Sequence, residues 1–240
     1  MSAPDSNPNA KPGTGRGYAA ARPVSPVPIF DPQSGLYTNF TAPFIGAHQD
    51  NFKSDRGGDW QGVGRVPVTC VVVHTMAGFF GGTRAWFNTG LAKRRASNPN
   101  AVPSSAHFGV SSQGLCEQYV KYSDTAYHAG SVRKPTFVRA VQEPALNPNL
   151  YSVGVENEDL NDPAYVWSTP QIHCNAWLIA QVSIKFKWEE IGATQVVFHK
   201  DIDAVNRAQC PGAGAPSKRE LIRLAGLYRA RLLRPGLPVK

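Results

Sequence analysis

The 240-residue chain predicts an α/β fold, a central mixed β-sheet flanked by helices and preceded by a Pro-rich N-terminal arm. Three observations predict it. Residues 69–73 (Thr-Cys-Val-Val-Val) and 195–198 (Gln-Val-Val-Phe) are short apolar runs with the length and β-branched content of buried strands. Two longer segments, from Thr169 and from Ser217, open with helix-start chemistry. Strands and helices alternate along the chain, and alternation of that kind builds a sheet covered by helices.

Taken in order, residues 1 to about 50 hold eight prolines (4, 8, 12, 23, 26, 28, 32 and 43) and few aliphatic runs. Such a segment buries little apolar surface and reads as an extended arm or linker, with Phe30, Tyr37, Phe40 and Phe44 available to dock. The remaining residues, 51–240, form one domain, whose first strong element begins near Arg65. Residues 68–73 predict a buried strand. Residues 83–88 predict a short helix capped by Thr83 and stopped at Gly90. Residues 93–103 read as a loop, and 106–110 with 115–121 as a hairpin turning at Ser111-Ser112-Gln113-Gly114. Residues 151–157 predict another strand. Thr169 followed by Pro170 is an N-cap with proline at the first helical position, opening a helix to about Glu190. Residues 195–198 form the last strand. Ser217-Lys218-Arg219-Glu220 is a capping box that opens a final helix to about Leu233.

Composition narrows the function. No apolar stretch approaches the roughly 20 residues needed to span a bilayer. Residues 1–17 are polar and lack an apolar signal core, so the expectation is a protein with no export signal. Four scattered cysteines (70, 116, 174 and 210) do not make a disulfide scaffold and read as free thiols. The net charge is +8, and residues 184–240 carry eleven Lys and Arg against five carboxylates. A basic face of this kind attracts an anionic polymer, although a solvated helix face gives the same composition. No helix-turn-helix, zinc-finger or aromatic RNA-binding signature accompanies the charge, so nucleic acid is not an expected partner.

The chemistry concentrates around the last strand. His199 and Cys210 bracket one short loop just after residues 195–198, and an imidazole and a thiolate so placed can take two corners of a tetrahedral zinc site. His74, at the end of the first strand, offers a third corner. A strand-end histidine alone is more often a satisfied core or surface group; it is the three donors taken together that point to a metal. Three protein ligands leave one zinc position open for water, the layout of a hydrolytic site rather than a structural one.

The series His74, Ser105-Ala106-His107-Phe108, Ala126-Tyr127-His128-Ala129-Gly130, Ser152-Val153-Gly154-Val155-Glu156 and His199 to Cys210-Pro211-Gly212 resembles the zinc-dependent N-acetylmuramoyl-L-alanine amidases. Phage endolysins, bacterial wall-recycling amidases and peptidoglycan recognition proteins share that fold. The resemblance spans roughly residues 66–233. It implies Zn2+ as cofactor, with His74, His199 and Cys210 on the positions of two histidines and a Cys or Asp. Glu156 matches the glutamate that wall-recycling amidases place beside the metal, where a carboxylate takes a proton from water and passes it to the leaving amine. Some phage relatives use a tyrosine just before the hairpin histidine; Ala106 stands there, which puts the weight on Glu156. Many relatives carry a lysine two residues before the last ligand. Here that position is Ala208, and Arg207, one residue earlier in a longer loop, is the candidate to stabilise an oxyanion. His128 matches a histidine of the cleft wall. With Asn157 and His107 it is a candidate for substrate contact, His107 equally suiting a place beneath the site. Trp86 is offered for the cleft or the core. His48 and His173 carry no motif.

The resemblance implies a peptidoglycan hydrolase that cleaves the amide between N-acetylmuramic acid and L-alanine, in the manner of a phage lysin. The expected partners are peptidoglycan and anionic wall polymers. The expected setting is the host cytoplasm with holin-dependent access to the wall, or a virion joined through the N-terminal arm. The alternative is a non-catalytic peptidoglycan-binding or structural virion protein on the same fold.

Overall fold

The computed structural model describes residues 26–56, 64–160, 162 and 164–234. Residues 1–25, on which half of the Pro-rich segment and the expectation about export fall, lie outside the described residues. A five-stranded sheet forms the centre, built from β4 (Cys70–Thr75), β5 (Phe108–Val110), β6 (Cys116–Gln118), β8 (Ser152–Asn157) and β9 (Val196–Phe198). Its order is β6-β5-β8-β4-β9, parallel throughout except for β6, which closes the predicted hairpin with β5. The sheet is therefore mixed, as expected. The small strands β1 (Ile29–Asp31) and β2 (Leu36–Thr38) pair with each other, and β3 (Phe52–Lys53) pairs with β7 (Thr125–Ala126).

Strand alternation sorts the side chains onto two faces. Val71, Val73, Val153, Val155 and Val196 face α5 (Thr169–Lys185) and α7 (Lys218–Leu233), which pack on each other over this side. Cys70, Val72 and Val197 face the other side, beneath Tyr151, Phe137 and Ile202. Buried on both faces, β4 and β9 read as continuous apolar runs, which is why they are legible in the sequence. Each fully buried valine contributes about 2 kcal/mol of transfer free energy.

Several boundaries differ from expectation for an identifiable reason. The helix α1 (Phe80–Asn88) starts three residues before Thr83, because Oε1 of distant Glu158 accepts from the Phe80 N–H at 2.8 Å. The expected loop at 93–103 begins as a helix, α2 (Leu91–Ser97), whose Leu91 N–H donates to Oδ2 of Asp50 at 2.9 Å. Ser168 rather than Thr169 caps α5, its hydroxyl accepting from the Gln171 N–H. That helix ends at Lys185, short of Glu190, where Lys187 takes a left-handed φ of 54°. Ser217 caps α7, accepting from Glu220 N–H, and the helix ends at Leu233 as predicted. The short helices α3 (Val138–Gln142), α4 (Pro148–Tyr151) and α6 (His199–Ile202) were not anticipated.

Around Leu36 the described part of the Pro-rich segment packs on the domain, while Val27, Ile29 and Phe30 stay exposed. Leu36 is fully buried. The Tyr37 N–H donates to the Tyr228 hydroxyl of α7 at 2.9 Å, Phe40 stacks on Trp177, and Arg231 pairs with Asp31 at 3.2 Å. Aromatic docking compensates for the missing aliphatics.

Candidate functional site

Parallel strands bring their C-terminal ends to one edge, where open α/β sheets hold ligands. His74 ends β4, Glu156 lies directly beside it on β8, and His199 follows β9. Alternation puts His74, Glu156, Gly154 and Ser152 on the face away from α5 and α7. Cys210 returns at the end of the α6 loop, its sulfur accepting from the Thr75 N–H at 3.4 Å. One donor atom from each of His74, His199 and Cys210 lies within 4.8 Å of the others, and all three residues are buried. Nδ1 of His74 is 2.8 Å from Nδ1 of His199. The three predicted ligands are thus brought together, and two imidazoles with one sulfur suit zinc.

A chain of hydrogen bonds fixes which nitrogen of His74 is free. The Pro148 carbonyl can only accept, so the Ser152 hydroxyl donates to it at 2.6 Å. Its oxygen, 3.3 Å from Nε2 of His128, then accepts from that nitrogen. Burial and neighbouring positive groups push both His128 and His74 well below the usual imidazole range, so each is neutral and carries one proton. His128 therefore has its lone pair on Nδ1, which accepts from Nε2 of His74 at 3.0 Å. His74 keeps the Nδ1 lone pair that a metal needs. Space for the relay comes from Gly154, where a Cβ would lie 2.5 Å from Cγ of His128. Arg56 braces it from below, donating to the carbonyls of Ser152 (2.8 Å) and Leu150 (3.2 Å) and touching the His107 ring. Neither Ser152 nor Arg56 was singled out in the sequence. The alternation Ser152-Gly154-Glu156 was the available signal for the first; none existed for the second.

The electrostatics are those of buried groups at the base of a cleft. Burial lifts the Glu156 carboxyl to about 8, against the pull of Arg207, and Oε2 is buried with no hydrogen-bond partner. An orphaned oxygen of this kind is a functional-site signal rather than a structural one. Burial, and next the Glu156 charge, lift the Cys210 thiol to about 12. Burial first, and then Arg207, bring His199 down to about 4. Glu158 and Asp159 are spent on structure: Glu158 accepts from Phe80 and Ser112 N–H, and Asp159 from the Gly78 N–H and the Thr75 hydroxyl.

His74, His199 and Cys210, with Glu156, His128 and Arg207, all line one cavity of about 750 Å3. Arg207 is exposed there on the α6 loop. Two predicted substrate contacts need correcting. Asn157 is fully buried and faces α5, donating to Asn175 Oδ1 (3.1 Å) and the His74 carbonyl (3.1 Å), because it shares the face of Val153 and Val155. His107 is also fully buried, its Nδ1 accepting from the Gly154 N–H at 3.1 Å; it packs beneath the site. Trp86 is not core: it lines a second cavity of about 430 Å3 that adjoins the first at Met76, Ala77 and Glu156.

Comparison with known proteins agrees with this picture. N-acetylmuramoyl-L-alanine amidase A of Achromobacter lyticus is 25% identical over 115 residues, 48% of this chain. The match spans about half (51%) of that relative's length. A crystal structure of a selenomethionine AmpD derivative superposes with a TM-score of 0.55 at 20% identity, covering 76% of this chain and 93% of that one. The Staphylococcus aureus hydrolase AmiA in complex with its ligand gives 0.51 at 13% identity, covering 83% and 90%. Both likenesses are of fold. A family model described as N-acetylmuramoyl-L-alanine amidase matches residues 64–213, from before β4 to beyond Cys210, and the chain belongs to that family.

Proposed function

We propose that the protein is a zinc-dependent N-acetylmuramoyl-L-alanine amidase that cuts peptidoglycan between the lactyl carbonyl of muramic acid and L-alanine. The observation that carries the reading is the convergence of His74, His199 and Cys210 beside a buried, unpartnered Glu156 oxygen in one open cleft. A zinc ion held by those three residues supplies a Lewis acid that acidifies water and polarises the amide carbonyl. Glu156 is the group that takes the proton from water and returns it to the L-alanine amine. Its buried, unpartnered oxygen faces the same cavity as the three ligands, which supports that role. Arg207 lines the same cavity with an always-charged fork of donors, which supports a role in stabilising the developing oxyanion. His128 holds the His74 ring from the wall of the same cavity.

The complete ligand set favours a hydrolase over a binding protein on the same fold. A wall-lytic role of the endolysin kind is the setting that the motif series supports, with peptidoglycan and its anionic polymers as partners. The decisive experiment measures bound metal together with release of new amino termini from purified peptidoglycan, before and after chelation. Expected are one zinc per chain and amine release that chelator abolishes and zinc restores. Chelator-resistant release, or metal without release, refutes the reading.

A further inference from the structure

The second cavity, beyond Glu156, is built around Trp86, which is 39% exposed although it sits on α1. The ring is held rigidly. Its Nε1–H donates to the Ser104 hydroxyl at 2.9 Å, and the same oxygen accepts from Arg94 at 3.0 Å. The buried Arg94 guanidinium lies 4.6 Å from the ring centroid and covers one face, leaving the rest of the indole to the cavity. Phe79, 59% exposed, adds a second ring. The floor near them is bare backbone: a Cβ at Gly82 meets nothing within 4 Å. Apart from Glu156, none of the residues lining this cavity is charged, whereas the wider cavity carries Arg207.

Given the amidase reading, the scissile amide lies between these two cavities, and its two sides differ in chemistry. The stem peptide carries free carboxylates. The glycan strand offers neutral rings with C–H groups on their faces and polar groups on their rims. A fixed, half-exposed indole with a hydroxyl at its edge, in a cavity whose one charged lining residue is Glu156, suits the second and gives no cationic counter-charge to the first. We propose that the Trp86 cavity binds a sugar ring of the glycan strand by stacking, while the stem peptide takes the wider cavity beside Arg207. Trp86 thereby selects substrates that carry glycan.

The proposal rests on the amidase reading, so its test is a binding measurement that needs no turnover. The zinc-loaded full-length protein is titrated calorimetrically with an N-acetylglucosamine tetramer and, separately, with a free stem peptide. Trp86→Ala is expected to weaken the tetramer about tenfold, and Trp86→Phe less. Gly82→Leu, which puts a side chain into the open space at the cavity floor one helical turn from Trp86, is expected to weaken it as well. Stem-peptide binding stays unchanged in all three. No tetramer binding by the parent protein, or binding indifferent to both Trp86→Ala and Gly82→Leu, overturns the proposal. So does a loss confined to the stem peptide, which would make the cavity a peptide pocket. Amide cleavage that persists alongside any of those results leaves the amidase reading standing. Tetramer binding that depends on Trp86 without cleavage removes the amidase reading and keeps the sugar site.

Discussion

Glu156 and Ser152 occupy the same face of β8, four residues apart, and do opposite work. Glu156 carries an unsatisfied buried oxygen, and its folded-state pKa of about 8 stands above the ordinary 4.5. The neutral form is therefore favoured by folding. This contribution to stability is complete below pH 4.5 and is lost as pH rises through about 8. In the metal-free protein, Glu156→Gln should melt progressively higher than the parent as pH climbs through that window; parallel melting curves would refute the assignment. With zinc bound, the same variant should retain its metal and release amine at least about 100-fold more slowly. Ser152 is fully satisfied and acts by fixing protons. Without its hydroxyl, His128 is free to place its proton on Nδ1, which then competes with His74 for the donor role. Ser152→Ala is expected to weaken zinc about tenfold in a chelator competition, and the ring-nitrogen NMR shifts of His74 should show mixed tautomers. Unchanged shifts would show that the relay does not set the tautomer.

At the scale of elements, the ends of β4, β8 and β9 place the site, and β4 and β9 were the most legible part of the sequence because both of their faces are buried. The candidate ligands His74 and His199 were readable for the same reason, since each sits where an apolar run stops, whereas Cys210 was readable by its place across one short loop from His199. Helix starts were less readable where the cap is remote. Nothing near Phe80 or Leu91 announces a helix, since the accepting carboxylates belong to Glu158 and Asp50. Asn157 could have been excluded from the cleft by alternation alone, because it stands two residues from Val155. His107, one residue before a strand, could not. Within β8 the tightest constraint is Gly154, over which the His128 ring lies. Gly154→Ala drives a methyl to within 2.5 Å of that ring, so the relay must tilt. Overpacking of this kind costs about 1–3 kcal/mol. Calorimetry should show that loss together with weaker zinc binding, whereas stability lost at unchanged zinc affinity would place the strain elsewhere.

The whole molecule is closed by contacts that join distant parts of the chain, and these decide how much of its charge is free. Composition could not reveal that the segment before Arg56 clasps α5 and α7, since its prolines suggested an arm and its docking depends on single rings meeting Tyr228, His173 and Trp177. The basic C-terminal helix is also partly consumed. Lys218 pairs with Asp201, Arg223 with Glu220 and Arg231 with Asp31, while Arg229 donates to backbone carbonyls. Arg219 stays exposed.

Titration then couples fold and metal across the molecule. Burial holds His74, His107 and His128 well below 6.5 and brings His199 to about 4. Their neutral forms are favoured by folding, so that stability is present above pH 6.5 and is lost as pH falls, for His199 through about 4. Above pH 6.5, metal uptake therefore displaces no proton from an imidazole. Cys210, raised to about 12, must give up its thiol proton on binding. In the Glu156→Gln background, where that carboxyl cannot titrate, zinc affinity should rise about tenfold per pH unit between pH 6.5 and 8. Adding Cys210→Asp, whose carboxylate is already ionised there, should keep zinc bound and flatten the slope. A parent slope that is flat, or one that survives Cys210→Asp, would mean that Cys210 is not the ligand that pays a proton for the metal.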